Sequence, residues 1–367
     1  MAKKKTDKEV KRPENTGLAA FREYQKKISK GVIEEELEAK TAEDIVSSGA
    51  IIIDTILGTG GFVKGTMHEI AGEAHSGKTT LMLQTARNIQ RAGGVVAYLN
   101  FEKSLDKKYT DSLGVNTDSS SGLWYYSTHN SYEGAASMIN GLINVGEVSA
   151  IFLDSIAGLE TEEALDDDTS SGSKKIGQAA AFWSTYFKKL ADIVHKKNVL
   201  FIFANQTRLS NIGVYGSAPV KDTTGGNAVK FWKTSAVYLQ GSKPKAEESV
   251  DEFGDKYYRV NEDYTKVVAK VDKNKWGPSY KSAIGRIVPY VGYDNYEALY
   301  KLAVMKGVIE VSGAWVTYRS ENDPAHFKVQ GRDAAQERIK NNPHILKKLV
   351  EDVGLAKPEN YFPNTKF

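Results

Sequence analysis
The stretch from Gly72 to Thr80, GEAHSGKTT, meets the spacing G-x-x-x-x-G-K-[ST]. Gly72 and Gly77 free the backbone of Glu73, Ala74, His75 and Ser76 to turn its amides toward phosphate oxygens. Lys78 supplies a point charge for the terminal phosphates, the Thr79 hydroxyl can ligate magnesium, and Thr80 leads into a helix. Such a loop implies a bound nucleoside triphosphate. Motors, switches, kinases and transporters all use one, so the remaining residues must decide its purpose.

Three polar residues close apolar runs. Asp154 ends AIFLD, where a carboxylate at a strand end can reach magnesium directly or through water; alternatively, the pair Asp154-Ser155 is a helix cap. Glu102 ends VVAYLNFE, where a carboxylate can orient and deprotonate the water that attacks a γ-phosphate. Gln206 ends LFIFANQ. Its amide has no proton chemistry near neutral pH, so it suits a reporter of the γ-phosphate rather than a base.

After Gln206 runs TRLSNIGVYGSAPVKDTTGGNAVKFW, too long and too glycine-rich for a simple connector. Arg208, Tyr215 and Lys221 within it suit a nucleic-acid strand, cations meeting phosphates and an aromatic ring meeting bases. A second such segment, LDDDTSSGSKKIGQ, follows Asp154. Two such segments on one edge of a nucleotide-binding core imply a groove.

The elements that must position these groups are legible from periodicity. MHEIAG, VVAYLNFE, VSAIFLD, VLFIFANQ and SAVYLQ read as buried strands, with helices such as KTTLMLQTARNIQRAG between them. This alternation predicts an α/β fold with a largely parallel central sheet, and ligands bind beyond the carboxyl ends of such strands. TKVVAKVDKNK and KSAIGRIVPY predict two antiparallel strands joined by a turn at Gly277 and Pro278. Residues 1–44 read as a lysine-rich arm and a helix with Leu18, Phe21, Tyr24 and Ile28 on one apolar stripe. Residues 45–292 form the core, and residues 293–367 read as a small α+β C-terminal domain.

Composition narrows the chemistry. With 367 residues, 41% of them apolar, the chain can fill a large core. It has no cysteine and six scattered histidines, which excludes thiolate zinc sites, cysteine nucleophiles and disulfides. No apolar run approaches the roughly 18 residues of a membrane span and the N-terminus lacks a signal-like stretch, so the expectation is a cytoplasmic protein without a membrane partner. A net charge of +3 permits nucleic-acid binding without requiring it.

Taken in order, these segments resemble the bacterial RecA family of homologous recombinases from about residue 45 to 350. SSGAIIIDTILGTGGFVKGTMHEIAGEAHSGKTTL, FEKSLDKKYTDSLGV, FLDSIAGL and NQTRLSNIGVYG followed by TTGGNAVKFW carry the likeness, and GAWVTYRS with NNPHILKKL extends it. The resemblance implies a helical filament of identical protomers on single-stranded DNA, ATP with Mg2+ at each subunit interface, and strand exchange with homologous double-stranded DNA. Carried over by position, it implies that Glu102 activates water and that Lys78, Thr79 and Asp154 serve phosphates and metal. Asp106 and Tyr109 would contact adenine, Gln206 would sense the γ-phosphate and order the loop from Thr207 to Thr224, and Lys273 and Lys275 would reach a neighbour's ATP.

The DNA contacts implied in the same way are Ser173, Lys174, Lys175 and Ile176 in the first segment and Lys188 on the helix after it. In the second they are Arg208, Asn211, Ile212, Gly213, Tyr215, Thr223, Gly225, Gly226 and Asn227. The N-terminal helix would pack on the adjacent protomer, and the C-terminal domain would bind duplex DNA. The chain departs from the family at Glu73, Ala74 and His75, where GPESSGKT is usual, and at Ala181, where many members carry arginine. The nearest rival, a hexameric helicase of the same fold, should add a partner-binding domain and an arginine finger, and neither is evident.

Overall fold
The computed structural model describes residues 23, 39–129, 131–159, 175–210, 220–223, 226–242, 246–250, 256–260, 264–319 and 323–367. Residues 41–367 form one body. Of the expected N-terminal arm and helix over residues 1–44, Glu23 and residues 39–44 fall among the described residues, so the helical stripe from Leu18 to Ile28 lies outside them.

In chain order the strands are β1 (Ile45–Val46), β2 (Phe62–Val63), β3 (Met67–Gly72), β4 (Val95–Asn100), β5 (Trp124–Ser127), β6 (Val148–Asp154), β7 (Leu200–Ser210), β8 (Val220–Thr223) and β9 (Ser235–Ser242). They continue as β10 (Ala246–Val250), β11 (Lys256–Val260), β12 (Thr265–Asn274), β13 (Ser282–Val288), β14 (Gly292–Tyr293), β15 (Ile309–Ser312), β16 (Trp315–Tyr318) and β17 (Phe327–Gln330). The helices are α1 (Ile51–Leu57), α2 (Lys78–Arg91), α3 (Lys107–Ser112), α4 (Tyr132–Val145), α5 (Lys175–Lys196), α6 (Gly226–Trp232), α7 (Asn295–Met305), α8 (Arg332–Lys340) and α9 (Pro343–Asp352).

Among the described residues the central sheet has ten strands in the order β14-β13-β12-β9-β3-β7-β6-β4-β5, with β8 on β7. Strands β9, β3, β7, β6, β4 and β5 are parallel, and β12, β13 and β14 add an antiparallel wing. The parallel strands are continuous apolar runs because helices cover both faces. Along β4, Val96 and Tyr98 join the core on one face while Ala97 and Leu99 join the core on the other, as a two-residue period requires. On the second face α5 buries Trp183, Tyr186, Phe187, Leu190 and Val194 at helical spacing.

The sequence locates β3 and β6 to the residue and places the antiparallel pair β12–β13 correctly. Two expectations need correction. β7 does not stop at Gln206: it continues to Ser210 and pairs antiparallel with β8, Thr207 opposite Thr223 and Ser210 opposite Val220. The expected loop from Thr207 to Thr224 therefore begins and ends as a ribbon, because its ends satisfy their backbone groups against each other. β4 ends at Asn100, so Glu102 stands two residues beyond the strand.

The C-terminal elements share the first-face core. Leu299, Leu302, Ile345, Leu349 and Phe362 belong to the same apolar cluster as Leu81 and Ile202. Asn295 donates to Gly49 O (2.8 Å) and accepts from Ile51 N (2.9 Å), tying α7 to α1. Among the described residues, no helix is long and apolar enough to cross a membrane.

Candidate functional site
The loop Gly72–Thr80 joins β3 to α2 at the carboxyl end of the sheet. A side chain at position 72 would meet the Leu239 carbonyl at 2.3 Å, and Gly77 has φ +95°, so both glycines are fixed by geometry. His75 also takes a positive φ, 58°, which turns the loop sharply before Ser76. Lys78 Nζ lies under the arch, donating to Glu73 O (2.7 Å) and Gly72 O (3.2 Å). Burial pushes its ammonium pKa down, opposed by the charges of Asp154 and Glu102.

Asp154, the last residue of β6, is almost fully buried and accepts from Thr79 Oγ1 and Tyr98 OH, both at 2.8 Å. Burial pushes its carboxyl up, and these hydrogen bonds together with Lys78 oppose the rise. Asp154 is not a helix cap; Ser155 stands at that position, before the short turn Ile156–Gly158.

Glu102 reaches the same edge. The amides of Phe101 (2.7 Å) and Glu102 (3.2 Å) both donate to Asp154 O, which fixes the chain as it leaves β4. The Glu102 Oε1 atom then accepts from Ser155 Oγ (2.5 Å) and from Gln206 Nε2 (2.8 Å). Three neighbouring strands thus deliver Glu102, Ser155 and Gln206 to one point. Ser155 and Tyr98 were not singled out from the sequence, although each lies in a quoted run: Ser155 in the pair read as a possible cap, and Tyr98 four residues before Glu102.

Asp106 and Tyr109 frame α3. Asp106 caps it, accepting from Tyr109 N (2.8 Å). The Tyr109 hydroxyl pairs with Thr80 Oγ1 (2.7 Å), and its ring meets Tyr290 edge-on at 5.7 Å. The helix end is thereby pinned against the start of α2.

Lys273 and Lys275 are not brought to this site. Lys273 is paired with Ala236, which itself lies opposite Glu69, so it is level with a point about 10 Å of strand before Gly72. Its ammonium donates to Lys230 O (2.8 Å) and Phe231 O (3.0 Å) at the end of α6. Lys275 is exposed nearby.

Among the expected DNA contacts, Lys188 is exposed on α5. Lys175 and Ile176 open α5, Arg208 lies on β7, Thr223 on β8, and Gly226 and Asn227 open α6. Ser173, Lys174, Asn211, Ile212, Gly213, Tyr215 and Gly225 lie outside the described residues.

The donor set fits a magnesium nucleotide. The Ser76 hydroxyl is buried inside the loop without a hydrogen-bond partner, and Thr79 with Asp154 offers a hydroxyl and a carboxylate, both hard oxygen donors. Among the described residues, no group of three or more His, Cys, Asp or Glu could hold a metal ion. Magnesium needs none, because it keeps several waters and substrate oxygens.

A parallel α/β sheet with a phosphate-binding loop, a strand-end carboxylate and a hydrogen-bonded Glu–Gln pair defines a phosphate-loop nucleotide-binding core. The RecA N-terminal domain model matches residues 18–292. Protein RecA of Campylobacter jejuni is 33% identical over 338 residues, 91% of each chain, and Protein RecA of Limosilactobacillus reuteri is 33% identical over 340 residues, 92% of this chain and 87% of that one. A solved RadB recombinase structure aligns at TM-score 0.48 and 21% identity, over 68% of this chain and 98% of that one. The chain belongs to the RecA family of recombinases.

Proposed function
We propose that the chain is an ATP-dependent DNA recombinase that assembles as a helical filament on single-stranded DNA and pairs that strand with a homologous duplex. The observation that carries this reading is the convergence of Gln206 and Ser155 on the Glu102 carboxylate, beside Lys78 and the Thr79–Asp154 pair. Family membership supports DNA as the partner, and this geometry supports coupling DNA binding to the nucleotide.

In this reading Glu102 takes a proton from a water as the water oxygen attacks the γ-phosphorus, and the bond to the β-phosphate oxygen breaks, leaving ADP and phosphate. Lys78 moves from its loop carbonyls to the terminal phosphates, a short displacement for a flexible stem. Thr79 and Asp154 would hold Mg2+, which neutralises phosphate charge. Asp106 and Tyr109, fixed at the start of α3, border the base. Gln206 can donate to the γ-phosphate or to Glu102, so occupancy of the site decides where its amide points. Its strand continues into the β7–β8 ribbon, which connects that choice to the proposed DNA-binding segment.

Lys273 and Lys275 face the opposite end of the sheet, so the reading assigns them to the ATP of a neighbouring protomer, making hydrolysis depend on assembly. DNA is held through backbone contacts that need no sequence preference, because base pairing itself tests homology. Residues 293–367 are assigned to duplex binding. Such work is done on genomic DNA, so we place the protein in the cytoplasm. Electron microscopy with ATP and single-stranded DNA should show open helical filaments; closed six-membered rings alone would favour the helicase reading.

A further inference from the structure
A second polar cluster is buried within the same sheet, below the strand ends that carry the candidate site. Glu69 on β3 is 1% exposed and is ion-paired with Lys233, the residue that follows α6. Its other oxygen accepts from Asn205 Nδ2 (2.8 Å), and Asn205 is fully buried. Replacing a buried ion pair with apolar residues is often neutral or stabilising, so folding alone does not explain why the pair is there.

Its connections do. Asn205 immediately precedes Gln206 on β7, and Glu69 precedes the phosphate loop on β3. Lys233 ends the turn leaving α6, whose last carbonyls, at Lys230 and Phe231, hold the Lys273 ammonium. Thr234 N donates to Met67 O (2.7 Å), and Lys275 N donates to Thr234 O (3.0 Å). The pKa of Lys273 is pushed down by burial and by Lys275 and Lys233, with Glu69 opposing, which places these charges in one field. A shift of β7 at Gln206 displaces Asn205, and a buried carboxylate cannot lose a partner without strain reaching the other.

We infer that Lys233 is a positioning residue: through Glu69 and Asn205 it ties the state of Gln206 to α6, and so sets whether Lys273 stays on its own helix or is released toward a neighbouring protomer's nucleotide. This rests on the function proposed above. The mechanism needs no new ligand, only two positions of one helix end.

The test uses the full chain and the double variant Glu69→Leu with Lys233→Met, which removes both charges together, so that neither ion is left unpaired. It should bind a fluorescent ATP analogue within about twofold of wild type and keep its DNA-free turnover, while stimulation by single-stranded DNA falls about tenfold in kcat without a matching change in KM. Lys233→Arg, which can keep the pair, should restore most of the stimulation. A double variant with full stimulation overturns the inference; a wild-type chain that DNA does not stimulate overturns the function proposed above and this role with it. Should the variant fail to fold, hydrogen exchange in wild type decides: amides of residues 226–232 should change protection when a non-hydrolysable ATP analogue binds, and unchanged exchange overturns the inference.

Discussion
At the carboxyl ends of the central strands Glu102 stands exposed, its carboxylate held by Ser155 and Gln206. Deeper within the sheet Glu69 is sealed from water, held by Lys233 and Asn205. His68 beside it is buried as well, paired with Thr66 and Ser235. The same residue type, in the same sheet, is built for opposite tasks. On the proposed function Glu102 must exchange partners with a nucleotide and water, and it is left at the surface, where changing a hydrogen bond is cheap. Groups that must keep their partners are buried, where an unmade bond is costly. Mutations at the first site should therefore alter rate, and removing a single partner at the second should cost stability.

The largest expected effect breaks this contrast if it fails. Glu102→Gln should lower DNA-stimulated ATP turnover by about 10²–10⁴-fold while nucleotide binding persists, and its thermal stability should stay within about 0.5 kcal/mol of wild type. Steady-state turnover alongside a nucleotide titration checks both halves. Normal turnover would remove Glu102 as the base.

At the sealed end, burial pushes the His68 imidazole down to about 4. Its folded pKa lies below the unfolded value, so the unfolded chain binds the proton more readily. The His68 contribution is full above pH 6.5 and should fall by about 3 kcal/mol as pH drops from 6.5 through 4. Asp54, whose carboxyl burial raises to about 6, contributes the opposite slope over that window, so denaturant unfolding should show the loss as the difference between wild type and His68→Gln.

Tyr98→Phe sharpens the comparison, because it touches the nucleotide end from inside the core. Losing the hydroxyl leaves buried Asp154 with one hydrogen bond fewer, a loss of about 2 kcal/mol in stability. The smallest expected effect is at a contact outside both clusters. Tyr361 donates to Asp54 (2.9 Å), which also accepts from Ser47 and Ser48 and whose carboxyl burial raises to about 6. Tyr361→Phe should cost about 1 kcal/mol by thermal unfolding and leave turnover unchanged.

The sequence showed most of the candidate site at the carboxyl ends and little of the sealed cluster. The phosphate loop, Glu102, Asp154 and Gln206 were legible because each is a polar residue ending an apolar run, where a parallel sheet presents its ligands. The Glu102–Gln206 contact was not, since it depends on how β4 and β7 flank β6 across the sheet. IIIDTIL is rich in β-branched residues, which favour strands, yet it folds as α1. Asp54 within it anchors Ser47 and Ser48, and Gly58 ends it in a left-handed turn with φ 72°. Glu69 and Lys233 are far apart in the chain, and nothing in either local pattern announces the other.

The claim that unites both ends is that this nucleotide chemistry serves DNA strand exchange. A single assay addresses it: the protein with ATP, circular single-stranded DNA, and either a homologous or a heterologous linear duplex. The account predicts joint molecules and displaced strand with the homologous duplex alone, lost when ATP is replaced by ADP. Equal product from both duplexes, or none from the homologous one under conditions where filaments form, would contradict it.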